Sequence, residues 1–312
     1  MNEIMVPEDI GKNLVGVAIV APGGYAPDED AFKRGLDALR VQGCRVHNYY
    51  GHADRHQRFG GTDEARIAQL YAAASNPDVQ VVMALRGGYG MSRLLPQLDF
   101  PMLAASGKLF VGHSDFTAFQ MALYAKTGAV SFAGPMLCDD YTREDRSDFT
   151  NRNFWRCISG EPYFVDWQAD GNPSTDVSGT LWGGNLAMLA HLAGTPWLPR
   201  VEGGILFVED INEHPYRIER MLLQLHLSGI LAQQKALVLG DFSGFKLTGY
   251  DNGYDFNSML AYLRAYLSIP IITGLPFGHI RDKATLPVGC RAHLVSTAES
   301  AVLDMQSGSL HL

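Results

Sequence analysis

The sequence predicts an α/β protein: an N-terminal parallel-sheet domain with helices on both faces, followed by a smaller C-terminal domain of mixed α/β character. Three observations predict it. Short apolar runs alternate with helical patterns through the first half of the chain, the signature of a parallel sheet. The chain has 312 residues, beyond the size to which one hydrophobic core usually grows. An irregular stretch near the middle, holding Gly160, Pro162, Gly171 and Pro173, separates the two halves.

Taken in order, Val15-Gly16-Val17-Ala18-Ile19-Val20 reads as a buried strand ending at Ala21-Pro22-Gly23-Gly24. Residues 28–41 then place Phe32, Leu36 and Leu39 at helical spacing. A second helix over 65–74 stops at Ser75-Asn76-Pro77. Val79-Gln80-Val81-Val82-Met83-Ala84 is a strand running into Arg86-Gly87-Gly88-Tyr89-Gly90, and Leu109-Phe110-Val111-Gly112 is another, followed by a helix over 116–127. The domains are therefore expected at 1–160 and 179–312, with 161–178 as linker. Beyond it, Gly183-Gly184-Asn185 opens a helix to about Leu192, and Gly204-Ile205-Leu206-Phe207-Val208 is a strand. A helix over 215–228 puts Ile218, Met221, Leu222 and Leu225 on one side, Ala236-Leu237-Val238-Leu239-Gly240 is a strand, and 256–267 a helix. Residues 292–311 read as short strands with turns.

Composition excludes several classes. With 46% hydrophobic and 19% charged residues the chain is a folded one rather than a disordered one. The 25 Lys and Arg against 33 Asp and Glu give a net charge of −8, without the basic cluster that nucleic-acid binding requires. No apolar run approaches the ~20 residues of a membrane helix, and residues 1–9 lack the pattern of a secretory signal. Cys44, Cys138, Cys157 and Cys290 lie far apart with no Cys-x-x-Cys pair, which fits buried, reduced thiols in a cytoplasm.

Chemistry concentrates at a few points. In Gly112-His113-Ser114-Asp115-Phe116 a strand ends one residue before a serine and a helix begins directly after it. Such a turn presents Oγ above the sheet edge and aims the next N–H at a bound oxygen. The fifth residue is Phe116 rather than glycine, and a plain helix cap reads equally well from this segment alone. A serine nucleophile needs a base and the base an orienting acid. His279, in a glycine-containing loop after a predicted strand, suits the first role. Glu209, at the end of the run 205–208, suits the second, with Asp210 and Glu213 as competitors. The Arg86–Gly90 loop can lend a backbone N–H to a developing oxyanion; it has neither the dinucleotide nor the P-loop spacing. His47, His52 and His56 with Asp54 read as loop histidines, so no metal site is expected. Trp155, Trp167 and Trp197 read as core or interface residues, and Trp182, beside Gly183, as a candidate cleft residue.

Five segments together, Arg86-Gly87-Gly88-Tyr89-Gly90, Gly112-His113-Ser114-Asp115, Leu181-Trp182-Gly183-Gly184-Asn185-Leu186, Val208-Glu209-Asp210 and Gly278-His279, resemble in kind and order the LD-carboxypeptidases, serine peptidases of peptidoglycan recycling. The resemblance runs from Ala21-Pro22-Gly23 to Leu286-Pro287-Val288-Gly289. It implies an N-terminal domain like that of class I glutamine amidotransferases, a homodimer, no cofactor, and a triad of Ser114, His279 and Glu209. The oxyanion hole would be the backbone N–H groups of Asp115 and Gly88. The implied substrate is a muropeptide tetrapeptide, cut between an L-centre (meso-diaminopimelate or L-lysine) and terminal D-alanine. Arg86 and Arg217 are candidates for the terminal carboxylate, because a guanidinium fork matches it. A sister branch cleaves peptide-nucleotide antibiotics, and there Trp182 would serve as a shelf for the base. A non-catalytic muropeptide-binding protein and a metal-dependent amidase complete the rival readings.

Overall fold

The computed structural model of the chain describes residues 14–305; residues 1–9, read above for a signal, and the tail of the final segment lie outside the described residues. The first strands are β1 (Gly16–Val20), β2 (Arg45–Asn48), β3 (Val81–Ala84), β4 (Leu109–Gly112) and β5 (Ser131–Ala133). They are followed by β6 (Tyr163–Gln168), β7 (Thr175–Asn185), β8 (Gly204–Ile211), β9 (Gln234–Ser243), β10 (Ile271–Ile272), β11 (Leu286–Val288), β12 (Arg291–Ser296) and β13 (Ser300–Met305). The helices are α1 (Glu29–Val41), α2 (Asp63–Ser75), α3 (Met91–Leu94), α4 (Phe100–Ala105), α5 (Thr117–Thr127), α6 (Asp148–Ile158), α7 (Leu186–Leu192), α8 (Pro215–Leu227) and α9 (Phe256–Tyr266).

The first sheet has the order β11-β5-β4-β3-β1-β2. Strands β1 to β5 are mutually parallel, and β1, β3 and β5 are buried at every residue, as strands covered on both faces must be. β1 sits between β2 and β3, so the chain reverses its direction of travel across the sheet at β1. Clefts form beyond the carboxyl ends of strands at such a reversal. There the loop after β1 meets the loop after β3, through a Gly24 N–H to Gly87 O bond of 2.8 Å.

The second sheet, β10-β9-β8-β7-β12-β13-β6, is parallel from β10 to β7 and antiparallel from β7 to β6. β6 alternates buried and exposed residues along its whole length, with one face toward water, whereas β8 is buried from Gly204 to Asp210.

Two expectations are corrected. The stretch 161–178 is not a linker: it supplies β6 and the start of β7 to the second sheet. Its glycines and prolines mark the turns, and the strand between them is a half-exposed one without a continuous apolar run. The first sheet is also not built from the first half alone. Leu286–Val288 returns to it as β11, antiparallel to β5. The chain thus crosses between the sheets a second time, and the crossing lies just after His279.

Local rules account for the helix starts: Asp28, Thr62 and Asn185 each accept a bond from a backbone N–H three residues on. The helix after Ser114 is anchored by aromatic packing. Phe119, fully buried, stacks on Phe116 at 4.8 Å and meets Phe110 of β4 at 5.1 Å and Phe100 of α4 at 5.9 Å. The four thiols are buried and unpaired; burial pushes those of Cys44, Cys138 and Cys290 up to about 12. Among the described residues no helix is long and apolar enough to cross a membrane. Phe119→Ala is expected to destabilise the protein by about 3–5 kcal/mol, read as a lowered Tm at fixed scan rate.

Candidate active site

Ser114 lies at the turn between β4 and α5 with φ of 60°, in the left-handed region that non-glycine residues rarely adopt. That backbone is the strained strand-to-helix turn expected of a nucleophile elbow. The departure at the fifth position has a packing reason. A Cβ on Gly112 would lie 2.8 Å from the Phe116 ring, so a glycine before the serine makes room for the phenylalanine after it. The Gly-rich loop after β3 approaches from the other side. A Cβ on Gly87 would stand 2.7 Å from Ser114 Oγ and 3.2 Å from Asp115 N, which only glycine permits. Among the described residues neither the Gly88 nor the Asp115 backbone N–H donates to another group.

The loop is held by the residue that follows the serine. Asp115, 2% exposed, turns its carboxylate inward and accepts from Met91 N at 2.9 Å. Burial raises its pKa, against the hydrogen bonds of Met91 and Gly90. Arg66, fully buried, ties the loops after β1 and β3 together through Pro22 O and Gly90 O, and its guanidinium lies over the Phe59 ring.

The second sheet contributes the carboxylate. Glu209 lies on β8 where its pairing with β9 slips: Val208 faces Leu239 but Asp210 faces Phe242, leaving Gly240 and Asp241 opposite Glu209. A bulge of this kind re-aims side chains and frees backbone groups. The freed Asp241 N–H donates to Phe277 O at 2.8 Å and so pins the loop carrying His279. Glu209, with no exposure, accepts from His279 Nδ1 at 2.7 Å through Oε2 and from Asn185 Nδ2 at 3.2 Å through Oε1. With Nδ1 bonded to a carboxylate, that nitrogen carries the proton and Nε2 is left to accept. Burial pushes His279 down, but the hydrogen bond and charge of Glu209 outweigh it, and the imidazole sits above its ordinary 6.5.

The competitors are engaged elsewhere. Asp210 accepts from Asn185 Nδ2, Ala187 N and Ile211 N, at the start of α7. Burial first, and then Glu209 beside it, lift Asp210 to about 6. Glu213 lies 3.6 Å from Arg217.

The two halves meet at this point. Thr117, in the first turn of α5, accepts from Asn185 N at 3.0 Å, and the His113 and His279 rings stand edge to face at 5.2 Å. His113, fully buried, donates from Nδ1 to Gly134 O at 2.9 Å; burial, Lys283 and His279 hold its pKa well below 6.5. His113, beside Ser114 at the rim of the first sheet, thus stands against His279, which Glu209 of the second sheet holds.

Other expected residues fare differently. Arg86 borders the Gly-rich loop, half-buried, with Nη1 on Tyr25 O at 3.3 Å. Arg217 is exposed on α8 and has no bond to Ser114, Glu209 or His279 among the described residues. Trp182 is no shelf: it is 1% exposed, and its indole N–H donates to Gln234 Oε1 at 2.8 Å. It fills the core instead, so close to β8 that a Cβ on Gly204 would stand 2.9 Å from its ring nitrogen. His47 lies on β2 rather than in a loop, His52 bonds the Tyr50 hydroxyl, and no group of three or more metal-ligating side chains assembles among the described residues. Sequence reasoning missed the Asn185 amide and the Asp115 side chain. Register offers a signal for the first, since Asn185 pairs directly with Glu209 across β7 and β8.

A strained serine turn, a glycine loop beside it and a histidine backed by a buried carboxylate are the kinds of part from which serine hydrolases are built. Residues 17–134 match the LD-carboxypeptidase N-terminal domain family and residues 178–294 the LD-carboxypeptidase C-terminal domain family. The chain belongs to the LD-carboxypeptidase family and is a carboxypeptidase-type hydrolase. It is similar to a solved muramoyltetrapeptide carboxypeptidase from Oxalobacter formigenes: 60% identity, TM-score 0.90, covering 93% of this chain and 98% of that one. It is 32% identical to the murein tetrapeptide carboxypeptidase of Pseudomonas aeruginosa over 89% of this chain and 92% of that protein. It is 27% identical to the microcin self-immunity protein MccF of Escherichia coli, over 92% of each.

Asp115→Ala leaves Met91 N buried without an acceptor and is expected to cost about 1–3 kcal/mol. Asp115→Asn keeps an oxygen there and is expected to retain most of that stability, as thermal unfolding of the two variants will read.

Proposed function

We propose that the protein is a serine LD-carboxypeptidase that removes terminal D-alanine from muropeptide tetrapeptides, cutting after an L-centre such as that of meso-diaminopimelate or L-lysine. The observation that carries this reading is the 2.7 Å bond from His279 Nδ1 to the buried Glu209, with the ring of His113, the residue before Ser114, 5.2 Å from that imidazole. The names of the murein-processing relatives supply the substrate class.

In the proposed reaction, Glu209 holds His279 in the tautomer whose Nε2 takes the Ser114 hydroxyl proton as Oγ attacks the carbonyl of the L-centre. The backbone N–H groups of Asp115 and Gly88, which have no other described partner, receive the oxyanion. His279 then protonates the departing D-alanine nitrogen. Water, losing a proton to the same Nε2, attacks the acyl-enzyme and frees Ser114. Asn185 acts on Glu209, and Asp115 through its carboxylate on the glycine loop. Arg86, beside that loop, is the better placed of the two arginines for the terminal carboxylate. The immunity-type reading loses its aromatic shelf, because Trp182 is enclosed in the core. As a working expectation the protein acts on its substrate in the cytoplasm as a homodimer.

D-alanine release from a purified tetrapeptide is expected with the native protein, unchanged by EDTA, and reduced by about 10⁴-fold or more in Ser114→Ala. No release by folded native protein would overturn the assignment. Glu209→Gln is expected to lower kcat by about 10⁴-fold. The folded pKa of His279 is raised, so the neutral base is lost as pH falls through that raised value. The acid limb of kcat/KM is therefore expected above 6.5, and lower in Glu209→Gln than in the native protein.

A further inference from the structure

The loop that carries His279 continues into a segment sewn onto the nucleophile-bearing domain. Ser147 Oγ donates to Asp282 Oδ1 at 2.5 Å, and Thr150 bridges Arg281 O (2.8 Å) and Lys283 N (2.9 Å). These bonds and the β11–β5 pairing hold the segment at its two ends. Between them Lys283 Nζ donates to Asp140 Oδ1 at 2.6 Å, with side chains only 2% and 4% exposed. Asp140 Oδ2 is occupied by Met136 N at 2.9 Å. Enclosing an ion pair costs several kcal/mol per charge, and apolar residues of similar volume often serve stability better. Stability is therefore a weak reason for this pair.

We propose that Lys283, held in place by Asp140, is a positioning residue for His279: the pair locks the His279 loop against the Ser114 side of the cleft and opposes Glu209 with a fixed cation. The charged and titratable groups around His279 are Glu209 and, behind it, Asp210 on β8, Asp241 on β9, His113 at the end of β4, and Lys283 on its own loop with the Asp140 carboxylate 2.6 Å from its Nζ. Glu209 and Asp210 favour the imidazolium, and Lys283 disfavours it, for His113 as well as His279. A base backed by a carboxylate but lacking that opposition would stay protonated to higher pH and be a poorer proton acceptor near neutrality. Asp140 holds the Lys283 Nζ in one place, so that its field on the imidazole does not vary as the substrate comes and goes.

The inference rests on His279 acting as the base, and its test reads the imidazole directly. The titration of His279 is followed by NMR of ¹⁵N-labelled, substrate-free protein, assigned against His279→Gln, beside D-alanine release by each variant. Lys283→Met/Asp140→Asn leaves no unpaired buried charge and keeps an acceptor for Met136 N. Its His279 pKa is expected to rise by about 0.5–1 unit, with the acid limb of kcat/KM moving by the same amount. Lys283→Arg, which keeps the cation, is expected to titrate as the native protein. Should the methionine variant fail to fold, Lys283→Gln/Asp140→Asn reads the same quantity. An unmoved His279 titration in a folded, uncharged variant overturns the proposal. A moved titration in a protein that releases no D-alanine leaves the electrostatic pairing standing and overturns only the functional reading.

Discussion

A carboxylate with no solvent exposure must have its oxygens hydrogen-bonded, or folding pays for stripping it of water. Glu209 is that group, and much of the architecture around the cleft serves it. One oxygen takes the His279 ring and the other the Asn185 amide, from two elements on either side of β8 in space. Asn185 in turn gives its backbone N–H to Thr117, which lies on the helix that starts at the serine turn. The satisfaction of one buried acid thereby ties the carboxyl end of the second sheet to the serine turn of the first.

Both sheets bring their carboxyl strand ends to this meeting. In the first, the reversal at β1 brings two glycine-rich loops together, and β4 delivers Ser114 beside them. In the second, the β8–β9 bulge turns Glu209 toward the loop that Asp241 N–H pins. The strain at Ser114 and the bulge at Glu209 are local departures from regular structure, and both fall where a side chain has to be aimed. The fully buried Phe119 cluster beneath the first departure holds the helix that must begin there.

Electrostatics within the cleft are set by opposition rather than by a single partner. Glu209 raises the His279 imidazole, burial lowers it, and Lys283 adds to the lowering. Asp210, lifted to about 6 by burial and by Glu209, shows how strongly two neighbouring acids in this environment repel one another's charge. Asn185 bridges both and softens that conflict.

Much of this was legible in the chain itself. Apolar runs long enough to be read, such as Val15–Val20 in sequence and the strand at 236–240, predicted the buried strands, and capped periodic segments predicted the helices, because both signals are local. The Ser114 turn, Glu209 at a strand end and His279 in a glycine loop were visible as types of position. Short or half-exposed strands such as β2, β6 and β11 were not, since their few apolar residues carry no period. The enclosure of Trp182, the pairing of Lys283 with Asp140 across 143 residues and the return of β11 to the first sheet depend on which surfaces come together. So does the preference of His279 for Glu209 over Asp210. Adjacent residues in a sequence are equivalent candidates; at a bulge one strand residue faces the cleft and the next faces the helix behind it. The sequence by itself determined the elements and the residue types available for chemistry, because local propensity and burial pattern are written in neighbouring residues. Only the tertiary structure decided which of those residues meet, because long-range contacts are set by packing two sheets against each other.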